Sequence, residues 1–548
     1  MLSSILIGVQ IFFSCVIGMY FLMQLKNQKA SKVNIYKDSR KRWEDLQSLR
    51  KISLTEPLSE KLRPKTEEEI VGQESGVQAL KVALCGPNPQ HILIYGSPGI
   101  GKTAAARIAL GLAKNSAMTP FKMGAKFIEI DATTLRFDER GIADPLMGSV
   151  HDPIYQGAGA YGQAGVPQPK PGAVTKAHGG VLFIDEIGEL HSVQMNKLLK
   201  VLEDRRVFLE SSYYSKNDEN IPRDIHDVFQ NGLPADFRLI GATTRNPEDI
   251  PSALRSRCIE IFFKDLSYED MMTIVDNVSK REGIDIDKAA KALIGQYAYN
   301  GRDAVNILQT AYSRVRLLGH SNIKEEDVEW VVQTGRYCPR PVKKVDTRPS
   351  VGKVNGLGVM GNMNGVVLGI EAVAKEVEKK KAQIKVTGIV EEEELHQKSS
   401  SSKRKSMMAN SVENVLTVLK MRYNVNTEDY FIHLNFTSGM PIDGPSAGSA
   451  IFSVLYSAIF NKSISGEVAM TGEVSINGKI YPVGGVHEKL LAAKEAGIKK
   501  VFIPRENQQK IFNLIDIEVV CVEDVEEIVQ HLFGDSEAIK KANTILHA

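Results

Sequence analysis

The feature that most constrains this chain is a glycine-rich segment of eight residues, Gly96–Thr103, with the sequence GSPGIGKT. An apolar run, His91–Tyr95, precedes it, and a run typical of a helix, residues 104–113, follows it. A strand, a glycine loop and a helix in this order predict a phosphate-binding loop, because main-chain amides and the helix N-terminus then face phosphate oxygens. In such a loop Lys102 reaches the β- and γ-phosphates and Thr103 contacts Mg²⁺. The residues expected to bind the nucleotide are Gly96, Ser97, Pro98, Gly99, Ile100, Gly101, Lys102 and Thr103.

A second acidic element supports this interpretation. Residues 181–186, VLFIDE, form an apolar strand that ends in two carboxylates. Asp185 is suited to hold Mg²⁺ through water, and Glu186 is suited to polarise the attacking water. Such a strand is common on its own and gains its meaning from Lys102 and Thr103. Four apolar runs alternate with helix-like segments, which predicts a parallel sheet covered on both faces; they are residues 91–95, 126–130, 180–184 and 238–242.

Three further segments resemble the AAA+ ATPases. The run IGATT resembles their sensor strand, ALRSR their arginine finger, and NGRD the second sensor of their helical lid. The resemblance implies that Thr244 orients water, that Arg257 acts in a neighbouring subunit and that Arg302 belongs to the lid. An arginine supplied in trans implies a ring, usually a hexamer in this superfamily. ATP and Mg²⁺ are the implied cofactors.

The C-terminal part contains a serine and a lysine in suggestive settings. Ser446 lies in DGPSAG, between a strand-like run and a helix of small residues, and Lys489 follows a glycine pair at the start of another helix. A serine hydroxyl needs a base, and a lysine serves as one only when burial lowers its pKa. Leu490, Leu491 and Ala492 flank Lys489, which favours burial. Separately, a turn serine and a surface lysine are the more ordinary interpretations.

Together these two segments resemble the Lon proteases, whose nucleophile lies in a DGPSAG turn and whose lysine lies in a GGxxEKLAA helix. The resemblance extends from the ATPase motifs through the lid to residue 548. It implies catalysis by Ser446 and Lys489, an accessory role for Thr471 in steadying the lysine, and protein substrates. His487 and Glu488 are not followed by a second histidine at the HExxH spacing, so no zinc site is predicted.

The N-terminus predicts a membrane anchor. Residues 1–25 contain no charged side chain, and as a helix they extend about 37 Å, enough to cross a hydrocarbon core of about 30 Å. Residues 26–42 contain seven Lys or Arg and one Asp, which by the positive-inside rule predicts the cell membrane with catalytic domains in the cytoplasm. A buried core helix is the alternative. The long N-terminal substrate domain of the A-type Lon enzymes is not expected, and residues 148–172 and 207–234 resemble the B-type branch instead. Because residues 104–180 contain no membrane segment and an anchor is predicted at the N-terminus, the resemblance is to the bacterial, Bacillus-type form of that branch.

Composition excludes some classes of function. The chain has 68 Lys+Arg and 66 Asp+Glu, for a net charge of +2, so it offers no overall basic footprint for nucleic acid, and nucleic acid is not predicted as a partner. Its five cysteines are widely spaced without a CxxC pair, which favours neither a disulfide framework nor a cysteine zinc site. The alternative function is an AAA+ nucleic-acid motor or remodelling ATPase with a Lon-like domain, which would not require both Ser446 and Lys489.

The predicted fold is α/β: an AAA+ ATPase domain with a helical lid, then an α+β Lon-type protease domain, after an N-terminal transmembrane helix. A polar block around residues 391–405 is expected to be a solvated loop. The predicted boundaries are 1–25 for the anchor, 26–57 for a basic stalk, 58–262 for the nucleotide-binding domain, 263–338 for the lid, 339–350 for a linker and 351–548 for the proteolytic domain.

Overall fold

A computed structural model describes most of the chain after residue 53. The described residues are 17–20, 43–50, 54–135, 144–151, 167–211, 214–218, 221–340, 345–360, 364–378, 382–388, 392–397, 400–405, 407–437 and 444–534. They fall into two units, Met1–Leu62 and Arg63–Ala548.

The first unit contains three described helical segments: residues 17–20, residues 43–50, and α1 (Leu58–Lys61). Most of the predicted anchor, residues 1–25, lies outside the described residues. Where the chain is described, none of its helices combines the length and apolarity needed to cross a membrane.

The second unit begins with a five-stranded parallel sheet in the order β2-β5-β8-β1-β9. Its strands are β1 (His91–Tyr95), β2 (Phe127–Asp131), β5 (Val181–Asp185), β8 (Arg238–Thr243) and β9 (Cys258–Phe262). The first four match the predicted runs to within one residue at each end, whereas β9 was not predicted. The pairs β3 (Gly148–His151) with β4 (Gln168–Pro171) and β6 (Arg206–Val207) with β7 (Leu233–Pro234) form two small antiparallel ribbons.

Burial explains why these runs form the sheet. All but the first residue of β1 and all but the last of β5 are buried, as expected for strands that helices cover on both faces. The helices of this domain are α2 (Glu74–Cys85), α3 (Lys102–Asn115), α4 (Ala173–Lys176), α5 (Ser192–Asp204), α6 (Arg223–Asn231) and α7 (Ser252–Arg255). Because the strands are parallel, the loops that follow β1, β5 and β8 meet at one edge.

The predicted lid consists of four helices, α8 (Tyr268–Glu282), α9 (Lys288–Tyr297), α10 (Gly301–Leu317) and α11 (Glu325–Thr334), with a two-residue ribbon of β10 (Asp285–Ile286) and β11 (Asn322–Ile323). Ser267 and Asp270 form a capping box that begins α8. Gly283, in the left-handed conformation, ends that helix. Local capping signals therefore define the first lid helix.

The C-terminal part is built on a mixed seven-stranded sheet in the order β15-β18-β14-β13-β20-β23-β24. Its strands are β13 (Lys353–Met360), β14 (Asn364–Glu376), β15 (Gln383–Thr387), β18 (Tyr430–Phe436), β20 (Val468–Met470), β23 (Lys500–Pro504) and β24 (Glu518–Val522). Four helices accompany it: α12 (Met407–Tyr423), α13 (Gly448–Phe460), α14 (Val486–Glu495) and α15 (Val525–Phe533). Short ribbons pair β12 (Ser350–Val351) with β19 (Ser463–Ile464) and β21 (Glu473–Val474) with β22 (Ile480–Tyr481).

The prediction of a solvated loop near residues 391–405 is wrong. The residues described in this block form two antiparallel strands, β16 (Glu392–Gln397) and β17 (Ser400–Lys405). The register places Glu392 opposite Lys405 and Glu394 opposite Lys403. Each charge run considered alone suggests a solvated segment, whereas the backbone pairs the two runs as strands.

Candidate active sites

The glycine-rich loop connects β1 to α3. Gly96, Gly99 and Gly101 have φ angles of 152°, 75° and 97°, which L side chains rarely adopt, so the loop depends on these glycines. Lys102 is only 6% exposed. Its Nζ donates to the carbonyl of Gly96, and lies 3.3 Å from the carbonyl oxygen of Ser97. The predicted phosphate-binding lysine is therefore held inside its own loop.

The two acidic residues at the end of β5, Asp185 within the strand and Glu186 just after it, lie close to this lysine. Burial lowers the pKa of Lys102, and the carboxylates of Glu186 and Asp185 partly oppose that effect. Burial raises the pKa of Asp185, and the Lys102 ammonium is the largest opposing influence. Thr103 follows at the first turn of α3. A buried ammonium, a carboxylate and a hydroxyl at the end of a phosphate loop fit a nucleotide phosphate with Mg²⁺.

Glu186 is held by Thr244, the predicted sensor residue. The Thr244 backbone N–H and hydroxyl donate to Glu186 Oε2 over 3.1 and 3.0 Å. Glu186 has a φ of 48°, an uncommon left-handed conformation for a residue with a side chain. Backbone of this kind costs on the order of 1–3 kcal/mol and is concentrated at functional sites. The structure thus brings Glu186 and Thr244 together through two hydrogen bonds.

The lid places Arg302 beside the phosphate loop. Gly301 N–H donates to the Gly99 carbonyl over 3.2 Å. A Cβ atom at Gly99 would lie 2.7 Å from Asn300 Oδ1 and 3.4 Å from Arg302 Cβ. Asn300 caps α10 by accepting from Asp303 N–H, so this asparagine defines both the helix start and the contact with the loop. The sequence analysis identified Arg302 but not Asn300.

The contacts that Arg257 makes are with residues outside the phosphate loop. Arg257 follows α7, where its guanidinium donates to the Ala253 carbonyl over 2.8 Å and lies 3.6 Å from Glu203. Its neighbour Arg255 binds Glu260 over 2.7 Å, and Glu260 also accepts from Tyr95 over 2.8 Å. The turn that carries Arg257 is therefore connected to the strand that precedes the phosphate loop.

Ser446 occupies a sharp turn before α13. Gly444, with a φ of 125°, leads into a short 3-10 turn, Pro445–Ala447, and α13 follows directly. The Ser446 carbonyl accepts from Gly472 N–H over 2.8 Å and from the Thr471 hydroxyl over 3.2 Å. The turn is thereby fixed against the chain that follows β20.

Lys489 lies in the first turn of α14 and is only 2% exposed. Its Nζ donates to Thr471 Oγ1 over 3.1 Å. Burial lowers the pKa of Lys489 to about 8, against the opposing influence of Glu488. The flanking sequence predicted burial of Lys489, and the structure confirms it; of the flanking residues, Leu490 and Ala492 are 0% and 5% exposed, whereas Leu491 is only partly buried.

Thr471 is the shared neighbour of the two predicted catalytic residues. Its hydroxyl contacts Lys489 Nζ and the Ser446 carbonyl, so one oxygen connects the lysine helix to the serine turn. The hydrogen bond of Nζ is made to Thr471 and not to the Ser446 hydroxyl. Catalytic hydrogen bonds are often longer or differently directed in enzymes without substrate and tighten in the complex.

Two positions near Lys489 were not predicted. A Cβ atom at Gly365 would lie 2.0 Å from the Glu488 carbonyl oxygen, so β14 meets α14 at a point that admits only glycine. Asn507 binds the backbone of Val483, just before α14.

His487 stacks against Phe512. Across the described residues, no group of three or more His, Cys, Asp or Glu side chains is arranged to hold a metal ion.

Comparisons with known proteins address both halves of the chain. Residues 322–535 match the family model for the Lon protease (S16) C-terminal proteolytic domain. Residues 67–219 match the model for magnesium chelatase, subunit ChlI.

Several curated proteins are similar over most of the chain. Lon protease 2 of Bacillus subtilis is 54% identical over 97% of this chain and 96% of its own length. The archaeal Lon protease of Pyrococcus abyssi is 29% identical over 70% of this chain and 41% of its own length. The Lon protease of Rickettsia prowazekii is 26% identical over 80% of this chain and 53% of its own length. Since similarity to Lon protease 2 extends over nearly both full lengths, the chain belongs to the Lon protease family.

Proposed function

We propose that this member of the Lon family, an ATP-dependent serine protease, uses Ser446 as nucleophile and Lys489 as general base. The observation that carries the proposal is the setting of Lys489: a nearly fully buried amine whose hydrogen bond goes to Thr471, which also contacts the serine turn. A lysine buried in this way is not placed to form an ion pair at the surface. Its burial favours the neutral amine that a general base requires.

In the proposed reaction, Lys489 accepts a proton from Ser446 and later donates it to the leaving amine. Ser446 Oγ attacks the peptide carbonyl while Lys489 Nζ accepts the hydroxyl proton. The protonated lysine then returns this proton to the leaving amine, the C–N bond breaks, and an acyl-enzyme ester remains. Water hydrolyses the ester by the same proton route. With a pKa of about 8, roughly one Lys489 in ten is neutral at pH 7, compared with about one in three thousand at the ordinary value.

Nucleotide binding is proposed at the loop between β1 and α3. Lys102 and the loop amides are suited to hold the phosphates, and Thr103 and Asp185 to hold Mg²⁺. When bound, Mg²⁺ neutralises phosphate charge. Glu186, oriented by Thr244, is suited to position the attacking water, and Arg302 reaches the loop from the lid.

Assembly into a homo-oligomer, with a hexameric ring as the specific proposal, is supported by the position of Arg257. This side chain is 40% exposed and is directed to Ala253 and Glu203, apart from the phosphate loop of its own chain. An arginine that stabilises transition-state charge must reach a nucleotide, so a neighbouring subunit is its natural site of action.

Attachment to the cell membrane through residues 1–25, with the catalytic domains in the cytoplasm, is also proposed. Its support is the uncharged 25-residue run followed by a basic segment. Assignment to the bacterial B-type branch is proposed with it, on the resemblance of residues 148–172 and 207–234 to that branch.

The decisive test is the release of peptides from unfolded casein by the purified full-length chain. We expect release that requires ATP, is abolished in Ser446→Ala, and is nearly abolished in Lys489→Arg, because a guanidinium does not act as a base. ATP hydrolysis should persist in both variants. Undiminished proteolysis by Ser446→Ala would exclude the proposed nucleophile and would favour an ATPase whose Lon-like domain has another role.

A further inference from the structure

We infer that Asn507 is a positioning residue that fixes the start of α14 and thereby holds Lys489 against Thr471. The inference rests on the proposed catalytic pair, and it concerns a side chain that does not contact either member of it. Asn507 ends a short 3-10 turn, Arg505–Asn507, that follows β23.

The Asn507 amide forms a two-point bond with one residue of another segment. Its Oδ1 accepts from Val483 N–H over 2.8 Å, and its Nδ2 donates to the Val483 carbonyl over 3.0 Å. This arrangement satisfies both backbone groups of Val483, as a neighbouring β-strand would. Since both bonds lie near the ideal length, they define the position of Val483 closely.

Val483 is connected to Lys489 by a short and constrained path. Gly485, two residues later, is the N-cap of α14, and its carbonyl accepts from Lys489 N–H over 3.1 Å. Gly485 has a φ of 64°, and a Cβ atom there would lie 2.5 Å from Val359 Cγ2. The backbone at Gly485 therefore has little freedom to adjust. A displacement of Val483 would also displace the first turn of α14, where Lys489 lies.

Asn507 is also connected, through β23, to Thr471, which accepts the hydrogen bond of Lys489. The strand just before its turn, β23, accepts at Phe502 from Thr471 N–H over 3.0 Å. One continuous segment, residues 500–507, therefore fixes both Thr471 and the entry to α14. Loss of the Asn507 amide removes one of these two connections and leaves the other intact.

The charges around Lys489 determine how such a loss can be detected. Glu488 on the same helix raises the lysine pKa, whereas burial has the larger, opposite effect. On the strands packed against α14, Lys353 pairs with Glu371 over 3.5 Å and Lys500 with Glu518 over 2.8 Å. His487, also on α14, stacks on Phe512. Solvent access to the amine is thus the main influence that a loosened helix would change.

The chain offers a matched control in Asn426. This asparagine is also half-buried in the proteolytic domain. Its amide contacts Glu428 and Asp429 within its own turn. Replacing it removes comparable hydrogen bonds without touching the segment before α14.

The experiment compares Asn507→Ala, Asn507→Asp and Asn426→Ala in the full-length chain, by cleavage of a short fluorogenic peptide with ATP present. We expect kcat of both Asn507 variants at about pH 7.5 to fall by ten- to a hundredfold with little change in KM, since sub-ångström displacement of a base has this effect. Their pH–rate profiles should shift upward by about one unit, so that activity partly recovers near pH 9.5. ATP hydrolysis, measured in parallel, should match that of Asn426→Ala.

Two results would overturn the inference: Asn507 variants indistinguishable from Asn426→Ala, or a uniform loss of activity with an unshifted pH profile, as a purely structural defect produces. Asn507→Asp keeps the size and one acceptor of the side chain, so it tests the idea even if the alanine variant folds poorly. Lys489→Arg separates the two proposals. An active Lys489→Arg refutes the catalytic pair, whereas an inactive one with normal Asn507 variants refutes only the positioning role.

Discussion

Replacing Lys489 by methionine should abolish proteolysis and stabilise the proteolytic domain at neutral pH. Burial lowers the pKa of Lys489 from 10.5 to about 8, so the folded state disfavours the ammonium. At about 1.4 kcal/mol per pKa unit, this difference destabilises the charged folded form by about 3 kcal/mol. Methionine is similar in length and carries no charge. It loses the hydrogen bond to Thr471, worth about 1 kcal/mol, which leaves a net gain of about 2 kcal/mol.

The sign of the pH dependence follows from which state binds the proton. Below about pH 8 Lys489 is protonated in both the folded and the unfolded state, so the wild-type chain bears the full effect of burying a charge. Between about pH 8 and pH 10.4 the folded state releases its proton before the unfolded state, and wild-type stability rises with pH. The advantage of methionine is therefore complete at neutral pH and disappears as the pH approaches about 10.4.

Hydrogen exchange of peptides from α13 and α14 measures this locally, with Ser446→Ala in both chains to prevent self-digestion. We expect exchange in Lys489→Met to be about thirtyfold slower than in the parent near pH 7, and only a few-fold slower near pH 9. Comparison at equal pH cancels the intrinsic exchange chemistry. Faster exchange in the variant near pH 7, or a ratio that does not change with pH, would refute the argument from burial.

Three other predictions concern separate parts of the chain. Glu186→Gln should bind ATP but hydrolyse it at least tenfold more slowly, so that folded substrates survive while short peptides are still cut; normal loss of a folded substrate in a degradation assay would contradict this. Gly365→Ala should reduce kcat for peptides at least tenfold, since its Cβ would lie 2.0 Å from the Glu488 carbonyl and displace α14; wild-type kcat would contradict it. Deletion of residues 1–25 should yield a soluble chain that is active on casein, whereas full-length chain should enter the membrane fraction and be extracted by detergent but not by salt; extraction by salt would indicate surface binding instead.

The strands of the nucleotide-binding domain were predictable because buried parallel strands leave nearly continuous apolar runs in the sequence. β2 was predicted although it carries Glu129 at its centre, whereas β9, with Glu260 at its centre, was not. In the structure the Glu260 carboxylate is bound by Arg255 and Tyr95, and Tyr95 comes from a strand far away in sequence. The pairing of β16 with β17 was missed because each polar run was considered alone, whereas a strand pair depends on the register between two segments.

The catalytic candidates also differ in how far the sequence alone identifies them. Ser446 and Lys489 were found from their local motifs, because each lies in a turn or helix start with a distinctive sequence. Thr471 came only from resemblance to the family, and its contact with both residues emerges from the fold. Asn507 had no local signal, since its partner Val483 lies 24 positions away. Residues whose function depends on a distant backbone group are not identifiable from spacing.

The account's central claim is that Ser446 is the nucleophile and that Lys489 activates it. Mass spectrometry after reaction with a peptide-based, serine-directed acylating probe tests this most directly. The account predicts an adduct on the peptide that contains Ser446 in the wild-type chain, and strongly reduced labelling in Lys489→Arg near pH 8. Labelling at another residue, or equal labelling of Ser446 in Lys489→Arg, would contradict it.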